Sequence, residues 1–154
     1  IAKCVEPSKD YLLPLGKANL VVAADEDWME EGESCCIITY GMGVYWAKAA
    51  EKYFPGQVDI VDLRTLFPLD EALVFETVKK HGKCLVLTEE QQNNSFAEAL
   101  AHRISYNCFQ WLDMPVEVLG ALNLPAVPMN MGLEAAMLPN ADKVREQILK
   151  LLKA

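Results

Sequence analysis

Histidine occurs only twice in this sequence, and that scarcity narrows the available chemistry before any motif is considered. A nucleophilic site needs a serine or cysteine beside a histidine base and an orienting acid. His81 precedes Gly82 at the end of a predicted helix, where a cation is favoured by the helix dipole. His102 falls inside another predicted helix, on its polar side. Neither stands near a GxSxG elbow or a cysteine partner, so both read as structural or surface residues. The five cysteines (Cys4, Cys35, Cys36, Cys84, Cys108) are odd in number and show no CxxC spacing. That excludes a zinc module and a secreted disulfide framework, and it points to reduced thiols in a cytoplasmic protein. Cys35, Cys36 and Cys84 lie in apolar runs and read as buried, inert thiols.

Basic residues are also in short supply, 14 against 22 acidic, for a net charge of -8. A protein that binds phosphate backbones needs a cationic surface, so nucleic acid is excluded as a partner, whereas a basic protein is compatible. No stretch approaches the roughly 18 apolar residues that would cross a bilayer. The opening IAKCVEPSKD has no apolar run to serve as a signal peptide. Because it begins with Ile1, the chain is expected to be a piece of a longer polypeptide. There is no internal repeat and no low-complexity segment.

What is present is the composition of one globular domain: 154 residues, 52% of them hydrophobic. Cys35 to Tyr40 predicts a strand, and a helix over Val44 to Phe54 follows, stopped by Pro55-Gly56. Val58 to Leu63 predicts the next strand. In the loop RTLFPLD, Asp70 is placed to cap a helix that runs to about Lys80. Lys83 to Leu87 is again strand-like, and TEEQQNN reads as a loop. Ser95 with Glu98 has capping-box spacing, ahead of a helix whose Phe96, Leu100, Ile104 and Cys108 share one face. A strand at Val116 to Leu119, a loop with Pro125 and Pro128, and a last helix opened by Asn140 or Asp142 complete the pattern. Alternating strands and helices imply a parallel sheet covered on both faces. Ala18 to Ala24 is the exception: DEDWMEEGES is expected to join it to CCIITY as a hairpin, which makes it antiparallel. The expected fold is thus a three-layer α/β/α domain over residues 18–154 with a five-stranded mixed sheet, its first strand antiparallel, after a linker at 1–17.

Candidate sites are few. Gly41 and Gly43, with Asp62 about twenty residues on, imitate part of a dinucleotide fingerprint, but Trp46 stands where the third glycine belongs. GMG therefore reads as a tight strand-to-helix turn. Glu89 and Glu90 follow a strand, and Arg64 sits at the matching end of another, so an ion pair between Arg64 and one of these carboxylates is expected to organise that face. The acids of DEDWMEEGE lack the glycine and spacing of a calcium loop. On these grounds the chain carries no self-contained active site.

Several segments, in order along almost the whole chain, carry a resemblance: PLGKA at 14–18, CIITYGMGVYWAKAA at 36–50, VDIVDLRTLFPLD at 58–70, VLTEE at 86–90 and LEAAMLPN at 133–140. Together they resemble the transketolase-type C-terminal domain in the form found in beta subunits, or the beta part, of thiamine-diphosphate-dependent 2-oxo acid dehydrogenases of the pyruvate and branched-chain types. PLGKA favours that branch over transketolase and deoxyxylulose-phosphate synthase, the alternatives that share the domain; a stand-alone protein-binding module is the alternative of another class. NNSFAEA at 93–99 departs from the family's glycine-rich turn. The resemblance implies the same three-layer fold. It also implies a whole enzyme that decarboxylates a 2-oxo acid oxidatively and passes the acyl group to a lipoyl-lysine. Thiamine diphosphate and magnesium would be held between two other domains, one of them the preceding pyrimidine-binding domain, and no catalytic, cofactor or metal residue carries over to this chain. The implied role is assembly within an oligomer and docking of a basic module of the lipoyl acyltransferase core, with Asp113 and Glu117 in WLDMPVEVLG as the candidate docking acids.

Overall fold

The computed structural model describes residues 5–154, so Cys4 and the start of the expected linker lie outside the described residues. Five strands, β1 (Asn19–Val22), β2 (Cys35–Thr39), β3 (Val58–Asp62), β4 (Cys84–Gln91) and β5 (Glu117–Ala121), form one sheet in the order β1-β3-β2-β4-β5. All pairings are parallel except β1 with β3. The helices are α1 (Glu26–Glu30), α2 (Met42–Glu51), α3 (Glu71–His81), α4 (Phe96–Cys108), α5 (Met131–Met137) and α6 (Ala141–Leu152), with a 3-10 turn at Phe109–Trp111.

Strand β2 reads CCIIT and is buried at every position, because both its faces and both its edges are covered. Cys36, Ile38, Val61 and Val86 face the layer of α3 and α4, where Val74, Val78, Leu100 and Ile104 complete one core. Cys35, Ile37, Ile60 and Leu85 face the layer of α2 and α6, against Ala47, Ala50, Val144 and Ile148. Period-two alternation thus divides one strand between two cores.

The expected mixed sheet with an antiparallel first strand is present, but the expected hairpin is not. Strand β1 pairs with β3 through Asn19↔Asp62 and Leu20↔Val61 instead of with β2. The acidic segment is no tight turn: it folds into α1, and that longer connection leaves room for β3 to enter between β1 and β2. Two other segments differ from expectation. Thr88 to Gln91 belongs to β4 and not to a loop, and Met131–Met137 forms α5, capped by Asn130.

The helix ends follow their capping residues. Asp70 Oδ1 accepts from Leu73 N, and Gly82 closes α3 in the left-handed conformation at φ 67. Ser95 Oγ accepts from Glu98 N at 3.2 Å, while the Glu98 carboxylate reaches Asn94 N, one residue earlier than a standard capping box. Asn140, not Asp142, caps α6 by accepting from Lys143 N at 2.9 Å.

The four described cysteines are all buried. Burial, reinforced by the neighbouring Cys84, pushes the Cys35 thiol up to about 12. Burial likewise raises Cys36, next to Cys84, and raises Cys108 against an opposing effect of Lys79. A raised thiol keeps its proton, and the thiolate is the nucleophile. Iodoacetamide at pH 8 is therefore expected to modify none of these four in the native chain within minutes and all of them in denaturant, as read by peptide mass spectrometry.

Candidate functional site

In an open α/β sheet, ligands approach the carboxyl ends of the parallel strands. Tyr40, just past β2, is the centre of that region here. Its hydroxyl lies 2.8 Å from Thr88 Oγ1 and donates to Glu90 Oε1 at 3.1 Å. The other oxygen of Glu90 accepts from Phe96 N at 3.0 Å, and Glu90 N donates to Thr88 Oγ1. The Phe96 ring packs edge-on against Tyr40, with centroids 6.0 Å apart. This network ties the end of β2 to β4 and to the first turn of α4.

The expected ion pair between Arg64 and Glu89 or Glu90 is not formed. Arg64 follows β3, and β2 lies between β3 and β4, so the two ends are separated by two strand spacings, roughly 10 Å. Tyr40 fills that gap and satisfies Glu90 itself. Arg64 is exposed, in the left-handed region at φ 57, with its N–H donating to Asp62 Oδ1 at 3.0 Å. Glu89 is exposed at the same end.

Burial is the largest influence on the Tyr40 phenol and lifts it above its usual range; the Thr88 hydrogen bond opposes the rise and Glu90 reinforces it. A raised phenol adds stability that is complete below the unfolded-state value, about 10, and is lost as pH climbs through the folded value. Tyr40→Phe is expected to cost about 1 kcal/mol at neutral pH, from two lost hydrogen bonds. The variant should also lose less stability than the parent between neutral pH and strongly alkaline pH, a difference that denaturant melts at several pH values would show.

Gly41 and Gly43 form a tight turn, as GMG suggested. Gly41 combines φ 57 with ψ -129, a backbone conformation that glycine adopts without side-chain cost. Gly43 is buried, and a Cβ there would collide with Thr39 Oγ1, which itself donates to Leu87 O at 2.9 Å. The glycine lets α2 approach the sheet and leaves no cradle for a pyrophosphate. Beyond the turn, the loop RTLFPLD walls a cleft of about 520 Å³ with Leu66, Phe67 and Leu69, closed on the far side by Phe96 and the Glu71–Arg103 pair at 2.8 Å.

Docking candidates Asp113 and Glu117 have unlike surroundings. Glu117, the first residue of edge strand β5, is partly buried and engaged with Lys150 at 2.8 Å. Asp113 is exposed, its N–H held by Gly82 O at 3.0 Å. Its carboxylate pairs with no cation among the described residues.

One polar constellation was not foreseen. At the amino ends of the strands, His81 Nδ1 lies 2.7 Å from Ser34 Oγ, and Nε2 lies 2.9 Å from Asp59 Oδ2. Nε2 makes no hydrogen bond in this arrangement, so the latter contact is a close approach and not an aligned hydrogen bond. Asp59 Oδ1 accepts from Ala24 N at 2.7 Å, and Lys83 Nζ donates to Gly32 O at 3.0 Å. The residue types are those of a hydrolase triad, but Ser34 is 1% and His81 4% exposed, which closes the group to a substrate. Through Ala24 N and Gly32 O it fastens the two flanks of α1 to the sheet. His81 is therefore structural and wholly internal, whereas His102 is exposed on α4. The signal was a Val-Asp-Ile strand with its acid in the inward register, which reads from sequence as an ordinary surface alternation.

Comparison with known proteins matches this architecture. The model of the transketolase C-terminal domain matches residues 27–144. The chain is 36% identical over 148 residues to the 2-oxoisovalerate dehydrogenase subunit beta of Bacillus subtilis, covering 94% of this chain and 43% of that protein. It is 30% identical over 142 residues to the pyruvate dehydrogenase E1 component subunit beta of Rhizobium meliloti, covering 90% of this chain and 29% of that one. A solved split-gene transketolase, described as an inactive beta4 tetramer, superposes over 95% of the chain with a TM-score of 0.72 at 18% identity, a likeness of fold. The chain thus spans less than half the length of these curated relatives. It belongs to the transketolase C-terminal domain family, in the branch similar to beta subunits of 2-oxo acid dehydrogenases.

Proposed function

We propose that this chain is the assembly and docking domain of the decarboxylating component of a 2-oxo acid dehydrogenase. The match across 94% of the chain to a 2-oxoisovalerate dehydrogenase beta subunit carries this reading. The complete enzyme would decarboxylate a 2-oxo acid and hand the acyl group to a lipoyl-lysine, in the cytoplasm, with thiamine diphosphate supplying the electron sink for the decarboxylation. The residues described here do not fit that cofactor. A diphosphate with its divalent cation needs a cluster of cation ligands and a backbone cradle. Among the described residues no group of three or more His, Cys, Asp or Glu side chains could hold a metal ion, and the Gly41–Gly43 turn is closed by Thr39 on one side. The chain's own contribution is mechanical. Tyr40 and Glu90 hold the carboxyl-end loops, RTLFPLD and the end of β4 form a wall toward the rest of the enzyme, and Arg64 and Glu89 present opposite charges along that rim.

The docking partner in this reading is a basic module of the lipoyl acyltransferase core, with the preceding domain and the alpha part as the other partners. Asp113 is its first contact, because the residue is exposed and pairs with no cation among the described residues, whereas Glu117 must give up Lys150 before it can serve. Charge pairs at such a rim set association rate and specificity. Asp113→Lys is expected to weaken acyltransferase binding by at least about tenfold at low salt, with a smaller effect from Glu117→Lys. Surface plasmon resonance at two ionic strengths measures this; an Asp113→Lys with Glu117→Lys double variant that binds like the parent at low salt sinks the docking role.

A further inference from the structure

Cys36 and Cys84 are register partners on adjacent parallel strands, the first matched pair of β2 with β4. Both side chains lie in the core on the α3 and α4 side of the sheet, and both are fully buried. The Cys36 thiol donates to Lys83 O at 3.5 Å and is within hydrogen-bonding reach of the Cys84 thiol. The other described thiols are placed differently. Cys35 alternates to the opposite face, in the core against α2 and α6. Cys108 comes from α4 and turns its sulfur toward Phe75 O, 4.0 Å away. A buried thiol packs as a small hydrophobe, so burial alone does not set this pair apart; its juxtaposition does.

Geometry admits a bond between them. Adjacent strands lie about 4.8 Å apart, which sets the Cα separation of register partners inside the range of about 4.4–6.8 Å that a disulfide spans. That spacing is below the preferred separation of about 5.5–6 Å, so the bond carries strain and is readily reduced. A disulfide of this kind belongs to a switch and not to a permanent staple. The neighbouring turn sets access. Lys83 O accepts from Cys36 N at 2.9 Å, and the Lys83 ammonium donates to Gly32 O at 3.0 Å. Gly82 O in turn accepts from Asp113 N at 3.0 Å. With these ties made neither thiol meets solvent, and burial holds the Cys36 proton in place. The closed fold is therefore inert, and reaction waits on local opening of the turn.

We propose that Cys36 and Cys84 form a reversible disulfide across β2 and β4 when hydrogen peroxide reaches them through the opened turn at 81–83. In the open state one thiol gives up its proton and the thiolate attacks a peroxide oxygen. The O–O bond breaks, leaving a sulfenic acid and water. The second thiol attacks that sulfur, the S–O bond breaks, and the hydroxyl leaves with the thiol proton as a second water. The two thiols thus lose two electrons in all, and one hydrogen peroxide is reduced to two waters. The test treats the full chain, with Cys4→Ser to remove the thiol outside the described residues, with millimolar hydrogen peroxide under native conditions. Non-reducing peptide mass spectrometry is expected to show a single Cys36–Cys84 link, formed over hours and reopened by millimolar glutathione. Its rate should level off as peroxide is raised, because opening and not chemistry limits it. Lys83→Met loses the tie to Gly32 O and should accelerate linking at least about tenfold. Cys36→Ala and Cys84→Ala should abolish the link, while Cys35→Ala and Cys108→Ala keep it, with each fold checked by circular dichroism. If an alanine variant does not fold, the parent's peptide map decides alone. Absence of a link while the urea-unfolded chain oxidises overturns the proposal, as does sulfinic acid without a link or a mixture of pairings. A bond that resists glutathione, or a rate that Lys83→Met leaves unmoved, overturns it as well.

Discussion

Asp59→Ala is expected to destabilise the chain by about 3–5 kcal/mol, a large share of what a domain of this size has to lose. The carboxylate is 4% exposed and faces the buried His81 ring at 2.9 Å, while its second oxygen accepts the Ala24 N–H at 2.7 Å. Removing it leaves an imidazole without its acid and a backbone donor without an acceptor, in a place water does not reach. His81→Ala should cost a comparable amount, because the Asp59 carboxyl then stays buried without the ring. The two losses are not independent. Removing both polar partners at once, as in Asp59→Leu with His81→Leu, should cost less than the sum of the single changes, since neither partner is then left buried without the other. Urea unfolding of the parent, the two alanine variants and the double leucine variant measures the coupling. Single-variant losses below about 1 kcal/mol would show that the group does not fasten the flanks of α1 to the sheet.

This same group marks where reading the sequence stopped. The core of the fold was legible because it rests on local patterns. Cys35 to Ile38 is apolar at every position and had to be central; Asp70, Ser95 and Gly82 announced helix ends that the structure keeps. Pairing order was not legible, since β1 and β2 are neighbours in sequence and only the packing of β3 against both separates them. The Arg64 expectation failed for that reason: adjacency along the chain was taken for adjacency in the sheet. The buried Ser34–Asp59–His81 group joins three residues from 22 to 47 positions apart along the chain, and no spacing rule links them. Likewise, nothing in WLDMPVEVLG distinguishes Asp113 from Glu117; the difference appears only when α6 brings Lys150 to one of them.

Gly43→Ala is the other substitution with a large expected effect, and a contrasting one at Gly41 shows why. Gly41 faces open space, with nothing within 4 Å of the position a Cβ would take, so alanine there meets only the backbone penalty of φ 57, about 1–3 kcal/mol. Gly43 is in regular helix and has no such penalty. Its difficulty is contact: the added Cβ would overlap Thr39 Oγ1 and lie 3.3 Å from Leu87 Cγ, both in the buried centre of the sheet. Relief requires α2 to move off the sheet, which opens the core that Ala47, Ala50 and Ile37 share. Interiors packed to crystal-like density resist such shifts, so the cost should be at the upper end of overpacking, about 3 kcal/mol or more. Thr39→Ala removes the colliding atoms at the expense of the hydrogen bond to Leu87 O, about 1 kcal/mol by itself. Gly43→Ala combined with Thr39→Ala should therefore be more stable than Gly43→Ala alone, whereas Gly43→Ala with Thr39→Ser, which keeps the hydroxyl, should not recover. Thermal melts of the four variants decide the matter. If Gly43→Ala is tolerated with Thr39 in place, close approach of α2 to the sheet is not what this glycine provides.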